Sequence, residues 1–146
     1  NGSGTLACAP WDRRITMATV RPDAPGVHAF DRLPADHPMA LLSRQRVIGE
    51  HVMISRVVLE KGCDVPMHAH ANEQMAIVLS GRLRFGLGRP GTPEYREVTL
   101  TGGGTGEVLH LPSNLPHSAF AEERTVVLDV FSPPSATTGI DVSHQK

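Results

Sequence analysis

The chain has 146 residues, a formal net charge of -1, and only one Trp, one Tyr and four Phe. This length suits a single domain that buries its own apolar core. The near-zero charge gives no electrostatic basis for binding nucleic acid or an anionic membrane, and so few aromatic rings argue against a base-stacking surface. No apolar run is long enough to span a membrane and no charged-then-apolar leader is visible, so we expect a cytoplasmic protein.

Residues 1–37 are predicted to form an N-terminal extension followed by an irregular arm. The first part, residues 1–16, is polar and contains glycines, a composition typical of poorly ordered termini. Prolines at positions 22, 25, 34 and 38 then interrupt any longer element. We expect the arm to pack either across its own domain or onto a second subunit.

Nine short runs of β-type composition follow the arm, separated by glycine, proline, asparagine or charged residues. The runs cover residues 39–49, 51–59, 65–70, 73–80, 82–87, 95–101, 107–111, 117–121 and 125–131. Such regular spacing, with weak helix signals, predicts an antiparallel sandwich or barrel over residues 38–133. A Ser-Pro-Pro sequence ends the last strand, so residues 134–146 are expected to form a loose tail.

His68 and His70 are separated by one residue at the end of a predicted strand. Alternate side chains of a strand point to the same face, so both imidazoles can reach one point, which is the geometry of a metal chelate. Gln74 opens the next strand and can bring an amide oxygen to that point if the chain turns at residues 71–72. Glu73 is the better ligand for most divalent ions, and a shift of one residue in register would exchange the two.

A second motif lies downstream, where a strand ends at Pro112 and His117 opens the next apolar stretch. Taken together, the two motifs resemble those of the cupin superfamily, and two motifs in the correct order are more specific than either alone. Asn114 stands where that family often has glycine. The matching residues are Gly62, His68, His70, Gln74 and Gly81 in the first motif, and Gly106, Pro112 and His117 in the second.

This resemblance implies an all-β fold, a double-stranded β-helix or jelly-roll barrel, with one divalent transition metal inside and a homodimeric assembly. The family spacing to the turn glycine selects Gln74 over Glu73, so the implied metal ligands are His68, His70, Gln74 and His117. Zinc, nickel, iron and manganese are all candidates, because imidazole suits several first-row ions. The remaining histidines have no such pattern around them and are predicted to be structural or exposed: His28, His37, His51, His110 and His144.

Asp129 interrupts the apolar run of residues 126–131 and shares a strand face with Val127 and Phe131. A carboxylate in such a run is either a hydrogen-bond acceptor that stabilises the fold or a general acid/base with a raised pKa. Three neutral imidazoles and an amide would leave most of a cation's charge uncompensated. An open coordination position would then polarise a carbonyl or anionic ligand strongly.

The Glu-Gln pair after His-x-His and the closing Leu-Asp-x-Phe-Ser-Pro-Pro sequence are similar to cupins of the KdgF type, which act on unsaturated uronates. This resemblance implies that Asp129 transfers a proton and that Phe131 shapes the substrate pocket. The family commonly has an arginine directly after the two prolines, where this chain has Ser135. Substrate recognition must then come from the metal or from another arginine, with Arg84 assigned to substrate binding among three candidates: Arg56, Arg82 and Arg84.

The sequence therefore predicts a metal-dependent isomerase or lyase that acts on a small sugar acid or a related carboxylate. Two alternatives use the same metal ligands. The first is a cupin that binds a small molecule without turnover, which the missing tail arginine favours. The second is an iron-dependent dioxygenase, which should consume oxygen.

Overall fold

The computed structural model describes residues 18–19, 24–104 and 106–141, and its regular elements are almost all strands. The strands are Ala18–Thr19 (β1), Asp36–Met39 (β2), Leu42–Ile48 (β3), Met53–Leu59 (β4), Asp64–His68 (β5), Glu73–Ser80 (β6), Arg82–Leu87 (β7), Arg96–Thr101 (β8), Leu109–Leu111 (β9), His117–Ala121 (β10) and Thr125–Ser132 (β11). The described ranges contain one 3-10 turn, Phe30–Arg32, and no α-helix. They accordingly hold no helix with the length and hydropathy of a membrane span.

Two sheets pack face to face, as the predicted all-β sandwich requires. The larger sheet has the strand order β1-β3-β4-β11-β6-β9, with β2 also paired to β3, and the smaller sheet has the order β5-β10-β7-β8. Apart from the parallel contact of β1 with β3, the pairs are antiparallel. The predicted jelly-roll architecture is confirmed.

Alternation of apolar and polar residues explains why these segments form strands with one buried face. On β4, Met53, Val57 and Leu59 are buried and alternate with more exposed residues. On β7, Leu83 and Phe85 are buried in the same way. Val57, Leu59, Leu83 and Phe85 belong to one core cluster between the two sheets, and each contributes roughly 1.5–3 kcal/mol when it leaves water.

The run at residues 39–49, predicted as one strand, instead contains the end of β2, a turn and all of β3. Leu41 has a φ of 64°, and this left-handed residue reverses the chain so that β2 pairs antiparallel with β3. Apolar composition does not reveal such a turn, because leucine rarely adopts positive φ. Part of the arm lies across its own sheet, where β1 pairs with β3, and residues 1–16 fall outside the described ranges.

A loose tail was predicted for residues 134–146, but its described part, residues 134–141, packs against the barrel. We name residues 136–141 the C-terminal strap, because this segment packs across the barrel. Its contacts with the barrel involve Ala136, Thr138, Gly139, Ile140 and Asp141. Two of these residues accept hydrogen bonds from buried arginines of β3, and buried guanidinium groups require such acceptors. Residues 142–146 lie outside the described part of the chain.

Candidate metal centre

Three histidines converge at one end of the barrel. His68 ends β5 and His117 begins β10, and the two are direct neighbours in the antiparallel register. His70 follows two residues after His68, and the ring centroids lie 4.3 Å (His68 and His117), 4.9 Å (His70 and His117) and 5.8 Å (His68 and His70) apart. One nitrogen from each ring lies within 4.8 Å of the others, so one cation can be held by all three.

Backbone carbonyls fix the tautomer of each of these histidines. The Nδ1 atom of His68 lies 2.8 Å from the Pro66 oxygen, and that of His117 lies 2.8 Å from the Leu115 oxygen. The Nδ1 atom of His70 makes the same kind of contact at 3.0 Å. A carbonyl oxygen only accepts, so each Nδ1 must donate its hydrogen and each neutral ring keeps its Nε2 lone pair free. This is the arrangement in which imidazoles bind metals.

Gln74 supplies an oxygen to the same cluster. It is buried on β6, and its Oε1 atom lies 3.1 Å from Nε2 of His70. Its amide nitrogen donates to Oδ1 of Asp129 at 2.9 Å, which fixes the orientation of the amide. Two acceptor atoms, Oε1 and Nε2, therefore face each other, and a cation between them would satisfy both. The donor set fits a divalent metal.

Glu73, the competing ligand candidate, points away from this cluster. Its carboxylate is half exposed and lies 2.9 Å from Nε2 of His110, which is also half exposed. Adjacent residues of a strand face opposite sides, so the inward position of Gln74 requires Glu73 to face outward. The other histidines within the described ranges are exposed, as predicted: His28, His37 and His51.

Burial favours the neutral form of His68 and His117. It lowers the pKa of His117 to about 4, with the neighbouring His68 acting in the same direction. The pKa of His68 is also lowered, again mainly because burial disfavours the charged ring. At neutral pH these two imidazoles are unprotonated, so they offer lone pairs to a cation without first releasing a proton.

The cluster opens into a cavity of about 60 Å³ between the two sheets, and Asp129 lies in its wall. Burial raises the pKa of Asp129 to about 7, while the hydrogen bond from Gln74 acts in the opposite direction. Phe131, two residues further on the same strand face, lies edge-on to His70 with ring centroids 5.6 Å apart. The structure therefore brings the predicted proton-transfer and pocket residues to the histidine cluster.

The part of the sequence that forms this site identifies the family of the chain. Residues 55–131, which contain both motifs and Asp129, match the family model described as Cupin domain. The chain belongs to the cupin family. The two sheets therefore form the cupin barrel of this protein, and the histidine cluster lies at one end of it. No curated protein matches the sequence of this cupin.

Solved structures share the fold of this cupin. An RmlC-like cupin from Shewanella frigidimarina NCIMB 400 has a TM-score of 0.67 at 19% identity, covering 80% of this chain and 97% of that chain. KdgF from Halomonas sp. has a TM-score of 0.60 at 24% identity, covering 72% and 92% respectively. Oxalate decarboxylase from Lactobacillus farciminis, in a formate complex, has a TM-score of 0.63 at 16% identity, covering 80% and 36%. These similarities establish a common fold.

Asn114 connects the two motifs of this cupin. Its φ is 65°, a left-handed conformation that asparagine tolerates better than most residues, which explains how it replaces the family glycine. Its backbone N–H donates to the carbonyl of His70 at 2.8 Å. The turn before His117 is thereby tied to the strand end that carries the other two histidines.

The assignment of Arg84 to substrate binding is corrected by its position on β7. Leu83 and Phe85 of this strand point into the core, so Arg84 points outward, where it lies 3.4 Å from Glu122 and over the ring of Phe120. The other two arginine candidates also pair with acidic residues outside the cavity: Arg82 with Glu122, and Arg56 with Asp31.

Two arginines that the sequence reasoning missed line the cavity instead. Arg44 and Arg46 lie on β3 and are 4% and 5% exposed. They share a strand face with Leu42, and this alternation was the available signal. This signal was missed because residues 39–49 were predicted as one strand. The turn within that run determines which residues of β3 face inward.

Proposed function

We propose that this cupin is a metal-dependent enzyme that transfers a proton within a small sugar acid or a related carboxylate, a reaction of the isomerase or ketonisation type. One observation carries the proposal. The carboxyl of Asp129 lies in the cavity wall and is hydrogen-bonded to Gln74, whose oxygen adjoins the histidine cluster. A titratable group of this kind beside a candidate metal site is a typical general acid/base.

The metal ligands in this proposal are His68, His70, Gln74 and His117. A divalent cation bound there would polarise an oxygen of the substrate and stabilise the negative charge that develops on it. Zinc, nickel, iron and manganese each suit three imidazoles and an amide oxygen. Elemental analysis of protein purified without a nickel column identifies which of them is bound.

Asp129 is the proposed proton carrier. Its Oδ1 atom accepts the amide hydrogen of Gln74, so Oδ2 is the atom that carries a proton. Both protonation states are accessible near neutral pH, because burial raises the pKa of Asp129 to about 7. Donation from Oδ2 to the carbon of an enol double bond gives the keto form. The hydroxyl proton that the enol loses restores the acid, so atoms and charge balance.

The substrate class rests on sequence resemblance to cupins of the KdgF type. The fold shared with Halomonas KdgF is consistent with this choice, as are the positions of Asp129 and Phe131 in the cavity wall. The family arginine after the two prolines is replaced by Ser135, which accepts a hydrogen bond from the backbone of Thr137. The substrate carboxylate is therefore left to the metal or to another residue.

The test of this proposal is an assay on unsaturated uronates released by a pectin or alginate lyase. Protein loaded separately with each of the four metals should remove the absorbance of the unsaturated bond faster than it disappears spontaneously. Asp129→Asn should lower the rate by about 100-fold or more. Glu73→Gln, which changes an outward-facing carboxylate next to the site, is the matched control and should keep the rate. Equal rates for wild type and Asp129→Asn would reject the proton-transfer role.

A binding cupin without turnover is the second candidate, and Ser135 favours it, because the similar cupins commonly have an arginine at this position. Calorimetry with uronates, combined with a product assay, separates the two functions. Tight binding without product formation for any of the four metals indicates the binding protein, and oxygen uptake by the iron form indicates the dioxygenase.

A homodimer is also proposed, and the outer face of the larger sheet supports it. Val47, Ile54, Val130 and Met75 are aligned in register across four neighbouring strands. All four are at least partly exposed on that face. Such a contiguous, partly exposed apolar row is a candidate contact surface for a second copy of the chain. Met75→Lys should convert a dimer to a monomer in analytical ultracentrifugation, whereas a monomeric wild type would contradict the proposal.

A further inference from the structure

Arg44 and Arg46 line the same cavity but differ in how their guanidinium groups are paired. Arg44 donates from Nε to both carboxylate oxygens of Asp36, at 3.1 and 2.9 Å, and from Nη2 to the same carboxylate at 2.8 Å. Its Nη1 and Nη2 atoms also donate to Asp141 of the C-terminal strap. Every nitrogen of Arg44 is therefore engaged by a carboxylate.

Arg46 is less completely paired. Its Nη1 atom donates to the carbonyl of Ala136 at 2.9 Å, and its Nη2 atom lies 3.4 Å from Asp36. Its Nε atom is buried and has no hydrogen-bond partner within the described ranges. A buried guanidinium with an unused donor is destabilising for the folded chain unless another group supplies an acceptor.

The charge environment of the two arginines differs in the same way. Burial alone would lower the pKa of Arg44, but the hydrogen bonds that its guanidinium donates to Asp36 and Asp141 raise it. Burial and the adjacent positive charge of Arg44 lower the pKa of Arg46, and the negative charges of Asp36 and Asp141 only partly offset this. The positive charge of Arg46 is thus less fully neutralised by neighbouring carboxylates than the positive charge of Arg44.

We propose that Arg46 binds the carboxylate of the ligand, while Asp36 and the carbonyl of Ala136 hold Arg46 in place. The ligand would bridge this guanidinium and the histidine cluster, so it needs a carboxylate at one end and a second oxygen at the other. A uronate or a similar hydroxy acid has this chemistry. The inference rests on the proposed function for the choice of ligand, and it assigns the carboxylate-binding role to a residue of β3.

The experiment compares variants of Arg46 with Arg56→Gln. Arg56 is a matched control, because it lies on the adjacent strand and its Nε is also buried without a described partner, yet it pairs with Asp31 outside the cavity. Galacturonate is titrated into zinc-loaded protein by calorimetry, with neutral galactose as the second probe. Arg46→Gln should weaken galacturonate binding by about tenfold or more and leave galactose binding unchanged. Arg56→Gln should bind both sugars like the wild type.

Arg46→Lys provides a second variant if Arg46→Gln fails to fold or to retain zinc. It keeps the positive charge but loses the planar pair of donors, so galacturonate binding should again weaken by about tenfold. Wild-type affinity for galacturonate in a folded, zinc-loaded Arg46 variant overturns the inference. No binding of galacturonate by the wild type at millimolar concentrations also overturns it.

The result for the carboxylate-binding role of Arg46 can be distinguished from the result for the proposed enzymatic function. Galacturonate binding requires no turnover, so loss of affinity in Arg46 variants supports the carboxylate site even if the wild type forms no product. If the wild type does turn over unsaturated uronates, Arg46→Lys should raise KM more than it lowers kcat. An unchanged KM would overturn the role of Arg46 while the enzyme function stands.

Discussion

Gln74 donates a hydrogen bond of 2.9 Å to Asp129, and through it the titratable carboxyl is joined to the histidine cluster. The same amide places its oxygen 3.1 Å from Nε2 of His70. One side chain therefore positions a metal-facing oxygen and a proton-carrying group at once. A change at Gln74 should affect metal affinity and the protonation of Asp129 together.

Gln74→Glu replaces the neutral oxygen with a charged one and removes the hydrogen bond to Asp129. Divalent-metal affinity should rise by about tenfold, because a carboxylate is a stronger ligand for a cation than an amide. The metal-free variant should be less stable by about 1–3 kcal/mol, because two carboxyl groups would then adjoin in the cavity. Chelator competition measures the first effect and urea unfolding the second. Unchanged metal affinity would show that the side chain at position 74 does not reach the metal.

His117→Ala should abolish stabilisation of the protein by metal. Zinc at 1,000 times its Kd stabilises a folded protein by about 4 kcal/mol, and a variant that no longer binds shows none of this. His110→Ala is the matched control, because His110 lies outside the cavity and pairs with Glu73. Thermal unfolding with and without zinc measures both. A similar zinc-dependent rise in Tm for His117→Ala and the wild type would contradict the assignment.

The stability of the metal-free protein should depend on pH through His117. Its pKa is lowered to about 4 in the folded state, so the unfolded chain binds the proton first as the pH falls below about 6.5. Above that pH, His117 adds no pH dependence to the free energy of unfolding. As the pH falls to about 4, protonation of His117 in the unfolded chain destabilises the protein by about 3 kcal/mol.

Asp129 acts in the opposite direction over part of the same pH range, because its pKa is raised to about 7. The folded state therefore holds a proton on Asp129 that the unfolded state has lost, which favours folding as the pH falls below 7. The contribution of His117 is isolated by comparing urea unfolding of the wild type with that of His117→Gln. The difference in unfolding free energy between them should change in favour of the variant from pH 7 to 4.5, and a constant difference would refute the prediction.

Gly139→Ala tests the contact of the C-terminal strap with the metal centre. Gly139 has a φ of +89°, and an added Cβ would lie 2.7 Å from Cδ2 of His68. The matched control is Gly103→Ala, with a φ of +78° and nothing within 4 Å of the added atom. Both should lose about 1 kcal/mol from the backbone conformation. Only Gly139→Ala should also weaken zinc affinity, measured by chelator competition. Equal zinc affinities of the two variants would show that the strap does not affect the metal site.

Most strands are predictable from local sequence, since alternation and turn residues act over a few positions. The runs at 73–80, 82–87 and 117–121 coincide with β6, β7 and β10. The boundary at Leu41 was missed, because its positive φ depends on how β2 and β3 pair. Residue chemistry alone left Glu73 and Gln74 as alternatives, and only the family spacing separated them. The pairing of Gln74 with Phe131 across β6 and β11 then places it inside.

The position of Arg84 shows the limit of this reasoning. The sequence offered three arginines near the motifs as carboxylate ligands, yet β7 directs Arg84 toward Glu122 on the surface. Arg46 lies far from both motifs in sequence, and its side chain reaches the cavity only because β3 occupies the larger sheet beside β4. A cytoplasmic location stays a prediction.

The sequence by itself determined the barrel, the three histidines and the inward carboxyl of Asp129, because strand alternation and short motif spacing fix which side chains share a face. Only the tertiary structure decided which arginines line the cavity and where the C-terminal strap lies. Those contacts join residues as far apart as Arg44 and Asp141, and such contacts depend on sheet order and on the need of buried charges for partners. Neither the order of strands in a sheet nor the partner of a buried charge can be predicted from a local sequence pattern.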